Sequence, residues 1–284
     1  MRQPLFFKLI YYEAIRGKTP EMEAAFQLLE AQANRFPDNQ DIQILLSDGA
    51  GHVISYYGKA GKIPEMEVAF QLLEAHADIF QDNQDIQVLL SKRAVNVISY
   101  YGEVGKIQKM EATFKLLKVQ ADRFPDNQDI QILLSNGAVN AINFYGIAGK
   151  IQGMEATFKL LKVHADRFPD NQDIQLELSW GAFNAINGYG AAGKIQEMEA
   201  AFELLKDQAD RFPDNQDIQI ALSRGAVNVI INYGEASKIP EMKATFKLLK
   251  NQADRFPDNQ DIQSILSKGE NNANYYSPSG NNAE

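Results

Sequence analysis

Between residues 64 and 80, Met66, Phe70, Leu73, Ala77 and Phe80 stand at i, i+4, i+7, i+11 and i+14, with Glu67, Gln71, Glu74 and Asp78 among the residues between them. That spacing keeps to one side of a helix with 3.6 residues per turn, so it predicts a helix with one apolar face. A second kind of stripe follows each polar break, as in Ile130, Leu134, Ala138, Ala141, Ile142 and Tyr145. Both stripes return every 44 residues. The string Gly105-Lys-Ile-Gln-Lys-Met-Glu-Ala-Thr-Phe recurs almost unchanged at 149 and 193, and more loosely at 17, 61 and 237, with no insertion or deletion. The full units are 17–60, 61–104, 105–148, 149–192 and 193–236. A sixth begins at Ser237 and loses the pattern after Gly269, while residues 1–16 align with the end of a preceding unit, Ile10 on the Ile54 column and Tyr12 on the Tyr56 column.

The punctuation agrees with two helices per unit. The first is predicted over about Pro20–Phe36 and its equivalents, the second over about Asn127–Ala148, for about thirteen helices in all. Pro64 sits near the first turn, where its missing N–H costs nothing, and Glu65 and Glu67 favour the positive end of the helix. Pro125 in the Phe-Pro-Asp-Asn-Gln-Asp turn cannot continue the first helix, and Asp126, with Asp129 three residues on, is the expected N-cap of the second. Gly149 is the expected left-handed stop. One such hairpin cannot bury both stripes, whereas stacked neighbours can. The expectation is an all-α solenoid over residues 17–270, preceded by a truncated unit at 1–16 and followed by a polar disordered tail at 271–284.

Composition narrows function more than fold. Of 284 residues, 45% are hydrophobic and 23% charged, which excludes a disordered or collagen-like chain. The absence of cysteine removes disulfides, thiolate metal sites and a cysteine nucleophile, and leans the chain toward the cytoplasm. A net charge of −9 argues against nucleic acid as a general partner. The stretch Leu5–Tyr12 is broken by Lys8 and followed by Glu13, too short and charged for a signal peptide or membrane span. His76 and His164 share a column two units apart, too distant for one metal. The repeated acids at helix starts read as caps, and the Gly-Lys pairs lack phosphate-loop spacing. No enzyme activity, metal or cofactor is expected.

The segment Ala138-Val-Asn-Ala-Ile-Asn-Phe-Tyr-Gly-Ile-Ala-Gly-Lys-Ile-Gln-Gly-Met-Glu-Ala-Thr-Phe resembles a tetratricopeptide repeat. Asn140, Tyr145, Gly149 and Phe158 fall where that family places Asn, Tyr, Gly and an aromatic, Met154 replaces its usual Ala, and the Phe-Pro-Asp-Asn turn is similar to its Asp-Pro-Asn-Asn turn. The resemblance covers roughly residues 6–270 and departs in unit length, 44 residues against the usual 34. It implies a right-handed α-solenoid of antiparallel helix pairs, a TPR-like superhelix, whose concave groove binds a peptide or partner segment.

Positions that differ between near-identical units show where change was tolerated or selected. On the second helix one such column reads Asp48, Lys92, Asn136, Trp180, Arg224 and Lys268. Others read Gly51, Val95, Val139, Phe183 and Val227, and Ser55, Ser99, Asn143, Asn187 and Ile231. Positions 48, 51, 55 and 59 share one helical face, and the resemblance places that face in the groove. Beside it runs a row of His52, Asn96, Asn140, Asn184 and Asn228. An Asn amide donates to and accepts from one peptide group, so the row either holds an extended peptide, similar to the ladders of armadillo proteins, or bonds neighbouring helices. Gly188 stands where Tyr56, Tyr100 and Phe144 do, on the same face as Trp180. It either opens a pocket beside the indole or marks a drifted repeat. On the first helix Glu30 and Glu74 give way to Lys118, Lys162, Lys206 and Lys250, a solvated face or a patch for an acidic partner. A self-associating array, joined through terminal half-units carrying Phe6, Phe7, Ile10 and Tyr11, is the competing reading.

Overall fold

A computed structural model describes residues 19–277, and every element among them is a helix. In chain order the helices are α1 (Thr19–Arg35), α2 (Gln40–Lys59), α3 (Ile63–Ile79), α4 (Gln84–Glu103), α5 (Ile107–Arg123), α6 (Gln128–Ile147), α7 (Ile151–Arg167), α8 (Gln172–Ala191), α9 (Ile195–Arg211), α10 (Gln216–Glu235), α11 (Ile239–Arg255) and α12 (Gln260–Tyr276). The odd-numbered helices are the first of each unit and the even-numbered ones the second. The expected half-unit at 1–16 lies outside the described residues. The described residues fall into two compact units that divide after Asn140, within α6.

In the first compact unit Met66, Leu73, Ile86, Ile98, Met110 and Leu117 are fully buried, and in the second Ile142, Met154, Ile174, Ile186, Met198 and Leu205 are. Each such side chain removed from water stabilises the fold by roughly 1.5–3 kcal/mol. These are the residues of the two stripes, so both helical periods point inward as the spacing predicts.

The turns hold one correction. The N-cap of each second helix is Asn, not the Asp before it. Asn39, Asn83, Asn171, Asn215 and Asn259 have extended backbones, and their Oδ1 atoms accept from the N–H three residues on. Asn127 likewise accepts from Ile130 N–H at 3.1 Å. The physical reason is the bond from Asn127 N to Phe124 O, at 3.2 Å, which puts Asp126 inside the turn. At the other end the left-handed stop is as expected. Lys62 N donates to Tyr57 O at 2.9 Å and Gly61 N to Gly58 O at 3.0 Å, a Schellman motif, with φ +69° at Gly61. Gly105, Gly149 and Gly193 repeat it, and Ser237, with φ +56°, takes the same position without being glycine.

A buried glutamine in each second helix finishes the preceding first helix. Gln43 Nε2 donates to Ala33 O at 2.9 Å and to Phe36 O at 3.1 Å. Gln87, Gln131, Gln175, Gln219 and Gln263 do the same to their own first helices. The last carbonyls of a helix have no partner within it, and this amide satisfies two of them away from water. His76 completes one such site, its Nε2 bonding Gln43 Oε1 at 2.8 Å and its Nδ1 bonding Ser47 Oγ at 2.9 Å. Gln43 Oε1 is an acceptor only, so Nε2 carries the proton.

Polar and charged side chains tie neighbouring helices together. Tyr57 OH donates to Glu23, Lys194 pairs with Glu155 at 2.7 Å, and Lys238 with Glu199 at 2.9 Å. Burial and the adjacent Glu199 carboxylate push the Tyr233 hydroxyl far above its ordinary range.

The tail expectation is corrected at its start. Helix α12 continues to Tyr276, so residues 271–276 are helical, and 278–284 lie outside the described residues. Ile262, Ile265, Gly269, Ala273 and Tyr276 keep helical spacing through the Asn-rich stretch, with Ala273 buried. The Tyr276 ring lies on Gly234, where an added Cβ would stand 2.2 Å from its Cγ. The rest of α12 is polar where its counterparts are not. Ala50, Ala94, Ala138, Ala182 and Ala226 are 0% exposed, and their column ends in exposed Glu270. Ile54, Ile98, Ile142, Ile186 and Ile230 are likewise 0% exposed, and theirs ends in exposed Asn274.

Candidate functional site

The variable face of the second helices differs in character between the two compact units. In the first, Lys92 is exposed and Asp48, Ser55 and Ser99 are half-buried. The asparagine row lies against this face with its donors engaged. Asn140 Nδ2 donates to Ser99 Oγ at 2.9 Å, and Asn96 Nδ2 is 3.5 Å from Ser55 Oγ. Each amide thus bridges to the preceding second helix, which is the arrangement that helix packing requires of it.

Around His52 the face is filled rather than open. Arg93 occupies a column that is otherwise glycine, at Gly49, Gly137, Gly181, Gly225 and Gly269. It is only 8% exposed. Its Nη2 lies 3.1 Å from Asp48 Oδ1 and its Nη1 3.3 Å from Ser55 Oγ. The guanidinium lies over Gly51, where a Cβ would stand 2.0 Å from Nε. Three departures from the repeat are therefore one event: Arg93 needs the room left by Gly51 and the counter-charge of Asp48. Burial lowers the His52 pKa below the usual imidazole value, Asp48 opposing and Arg93 and Lys92 adding to the shift. An arginine in a glycine column, opposite a glycine in a valine column, was the signal in the sequence for this cluster.

In the second compact unit the face is aromatic. Trp180, the chain's single tryptophan, is half-buried on α8 and meets Phe183 edge-to-face, with centroids 5.7 Å apart at 87°. The exposed Arg224 of α10 lies 5.5 Å from the indole centroid. That proximity adds a cation–π attraction of about 0.5–1 kcal/mol at exposed sites. Asn228 Nδ2 donates to Asn187 Oδ1, and Asn232 Nδ2 to Asn228 O at 2.7 Å. Asn143 and Asn184 are half-buried on the same face, while Ile147 at its end is 74% exposed. Glu177, in a column of Leu45, Leu89 and Leu133, is pushed up to about 7 by burial and then by Asp173.

The pocket expected at Gly188 is closed. A Cβ there would stand 2.2 Å from Met154 Sδ and 3.3 Å from Gly146 Cα. The thioether and the close approach of α6 take the space of the missing aromatic ring. On the first helices Lys206 pairs with Glu203 at 2.7 Å, and Lys162 and Lys250 lie 5.9 and 4.6 Å from the ring centroids of Phe158 and Phe246. Those lysines rest on their own helices.

Among the described residues no cluster of three or more His, Cys, Asp or Glu is placed to hold a metal, and no helix is long and apolar enough to cross a membrane. Compared with models of known protein families the chain matches none, and a comparison with curated proteins finds no match.

Proposed function

We propose that this chain is a TPR-like, right-handed solenoid of antiparallel helix pairs that acts as a cytoplasmic interaction scaffold. A peptide or partner segment lies on the variable face of its second helices. The observation that carries this reading is the Trp180–Phe183–Arg224 cluster. A half-buried indole, an edge-on phenyl ring and a guanidinium 5.5 Å from the indole centroid stand together on the variable face. Aromatic and arginine side chains in such settings are the usual anchors of binding.

The asparagine row is the lesser contributor. A peptide hydrogen bond contributes about 0.5–1.5 kcal/mol net, and micromolar affinity needs about 8 kcal/mol before ordering costs are met. Amides that already bridge helices add less than free ones, so an anchor is required and Trp180 is placed to provide it.

Selecting a displayed library of random peptides against the full chain, then titrating enriched peptides by calorimetry, tests the reading. Trp180→Ala is expected to weaken them by at least about 2 kcal/mol, and Asn184→Ala by less. Peptides that bind the Trp180→Ala chain unchanged would place binding elsewhere. The competing self-association draws no support from α12, whose outer positions Glu270 and Asn274 are polar and exposed.

A further inference from the structure

A cleft of about 230 Å³ lies between α3 and α5 in the first compact unit, lined by Glu67, Phe70, Glu74, Tyr101, Lys109 and Thr113 among others. It uses neither Trp180 nor the asparagine row. Its meaning comes from comparing the same position in other units. In α7, α9 and α11 the residue four after the core phenylalanine is lysine, and its ammonium lies near that ring. The Nζ-to-centroid distances are 5.9 Å for Lys162 and Phe158, 5.6 Å for Lys206 and Phe202, and 4.6 Å for Lys250 and Phe246. In α3 the corresponding pair is Phe70 and Glu74. The cation is replaced by a carboxylate, and a cleft stands beside it.

That carboxylate is half-buried and lacks a counter-charge. Burial and the like charge of Asp78, one turn on, raise its pKa above the usual carboxyl range, and no cation among the described residues offsets them. Lys109, the cation lining the cleft, is already bonded to Glu67 at 2.6 Å, and Lys106 lies 3.4 Å from the same oxygen. The Tyr101 ring lies 5.9 Å from the Lys109 ammonium. The cleft therefore offers an acid without a counter-charge, the small exposed parts of two buried rings (Phe70 is 4% and Tyr101 6% exposed) and a volume several times the roughly 30 Å³ share of one liquid water molecule. Ammonium groups are attracted to aromatic faces and to carboxylates that are partly shielded from water.

We propose that this cleft is a binding site for a primary alkylammonium group, such as the end of a lysine side chain from a partner, with Glu74 as its counter-ion and Phe70 and Tyr101 as its walls. The ligand would enter where Lys162, Lys206 and Lys250 lie in α7, α9 and α11, the first unit carrying Glu30 at the same position.

The test is a titration of the full-length chain, labelled with nitrogen-15, with Nα-acetyl-lysine N-methylamide. The norleucine analogue, which lacks the ammonium, is the control. Saturable shifts of the Tyr101 and Thr113 amide signals are expected with the lysine compound, and at least tenfold weaker binding with the norleucine compound. Glu74→Gln should weaken binding at least fivefold. Glu74→Lys, which installs the residue that α7, α9 and α11 carry, should abolish it while leaving the helical circular dichroism intact. A parallel titration with n-pentylamine identifies the source of the ammonium. Tighter binding of the capped lysine supports a peptide side chain, and tighter binding of the free amine supports a small-molecule amine at the same site. Absence of saturable shifts, equal binding of the norleucine compound, or unchanged binding in Glu74→Lys would overturn the assignment.

Discussion

A single carboxyl on the variable face sets a pH dependence for the fold. Glu177 stands in a leucine column and has a folded-state value of about 7, against an ordinary value of 4.5. The folded chain therefore holds this proton more tightly than the unfolded chain does. The resulting stabilisation is fully present below about pH 4.5 and is lost as the pH rises through 7. Glu177→Leu removes the loss and restores the column. It is expected to raise stability at pH 8 by on the order of 3 kcal/mol, from a shift of that size at 1.36 kcal/mol per unit, and by much less at pH 4. Urea unfolding at the two pH values measures the difference, and an equal gain at both would show that ionisation of Glu177 is not its source. His76 acts in the opposite sense. Burial lowers its pKa below 6.5, so its contribution is present above that value and is lost as the pH falls below it. At this scale the sequence was partly legible. Glu177, Phe183 and Trp180 are visible as departures from their columns, whereas the fate of the space at Gly188 depends on Met154, a residue of another helix that no spacing rule connects to it.

The individual helix is where the sequence was most legible, because its chemistry is local. Apolar spacing, Pro125 and the glycine stops place the helices to within a residue or two of where they lie. Ser237 tests that local chemistry. It holds φ +56° at the stop where Gly61, Gly105, Gly149 and Gly193 stand in the other units. A left-handed backbone costs an ordinary L-residue roughly 1–2 kcal/mol, and Gly is free of that cost. Ser237→Gly is expected to raise the melting midpoint, by about 1 kcal/mol of stability after the entropy glycine adds to the unfolded chain; a lowered midpoint would contradict the assignment of strain. The buried glutamines were not legible in the same way. The two carbonyls that Gln175 satisfies, Ala165 O and Phe168 O, belong to a different helix, so a polar residue on a buried face gave no hint of its partners. Gln175→Leu keeps an apolar-sized side chain but removes one donor from each carbonyl, Ala165 O keeping its bond from Phe168 N at 3.1 Å and Phe168 O its bond from Asn171 N at 3.2 Å, so the expected cost is about 0.5–1.5 kcal/mol for each hydrogen bond lost. Hydrogen exchange should report the loss first at the end of α7, the helix whose last turn the amide closes.

For the molecule as a whole, the repeat creates a difficulty that the sequence resolves in α12. A unit that stacks on its neighbour presents the same apolar columns at its far side, and an array with such a face exposed would recruit further copies. In the inner second helices those columns hold Ala50, Ala94, Ala138, Ala182 and Ala226, and Ile54, Ile98, Ile142, Ile186 and Ile230, all at 0% exposure. In α12 they hold Glu270 and Asn274, both exposed. The substitutions spare Ile262, Ile265 and Ala273, which stay buried, so α12 keeps its inward face and changes only its outward one. Reading the Asn-rich stretch by composition suggests a disordered tail, whereas reading it by column shows a helix with one polar side. If that polarity is what limits stacking, restoring the repeat residues should reverse it. The double variant Glu270→Ala, Asn274→Ile is expected to remain helical and to associate with rising concentration, as seen by light scattering or sedimentation, while the unmodified chain shows weaker association under the same conditions. Conversely, if the double variant associates no more strongly than its parent, the outer face of α12 does not govern assembly, and Phe6 and Ile10, which lie outside the described residues, become the next positions to change.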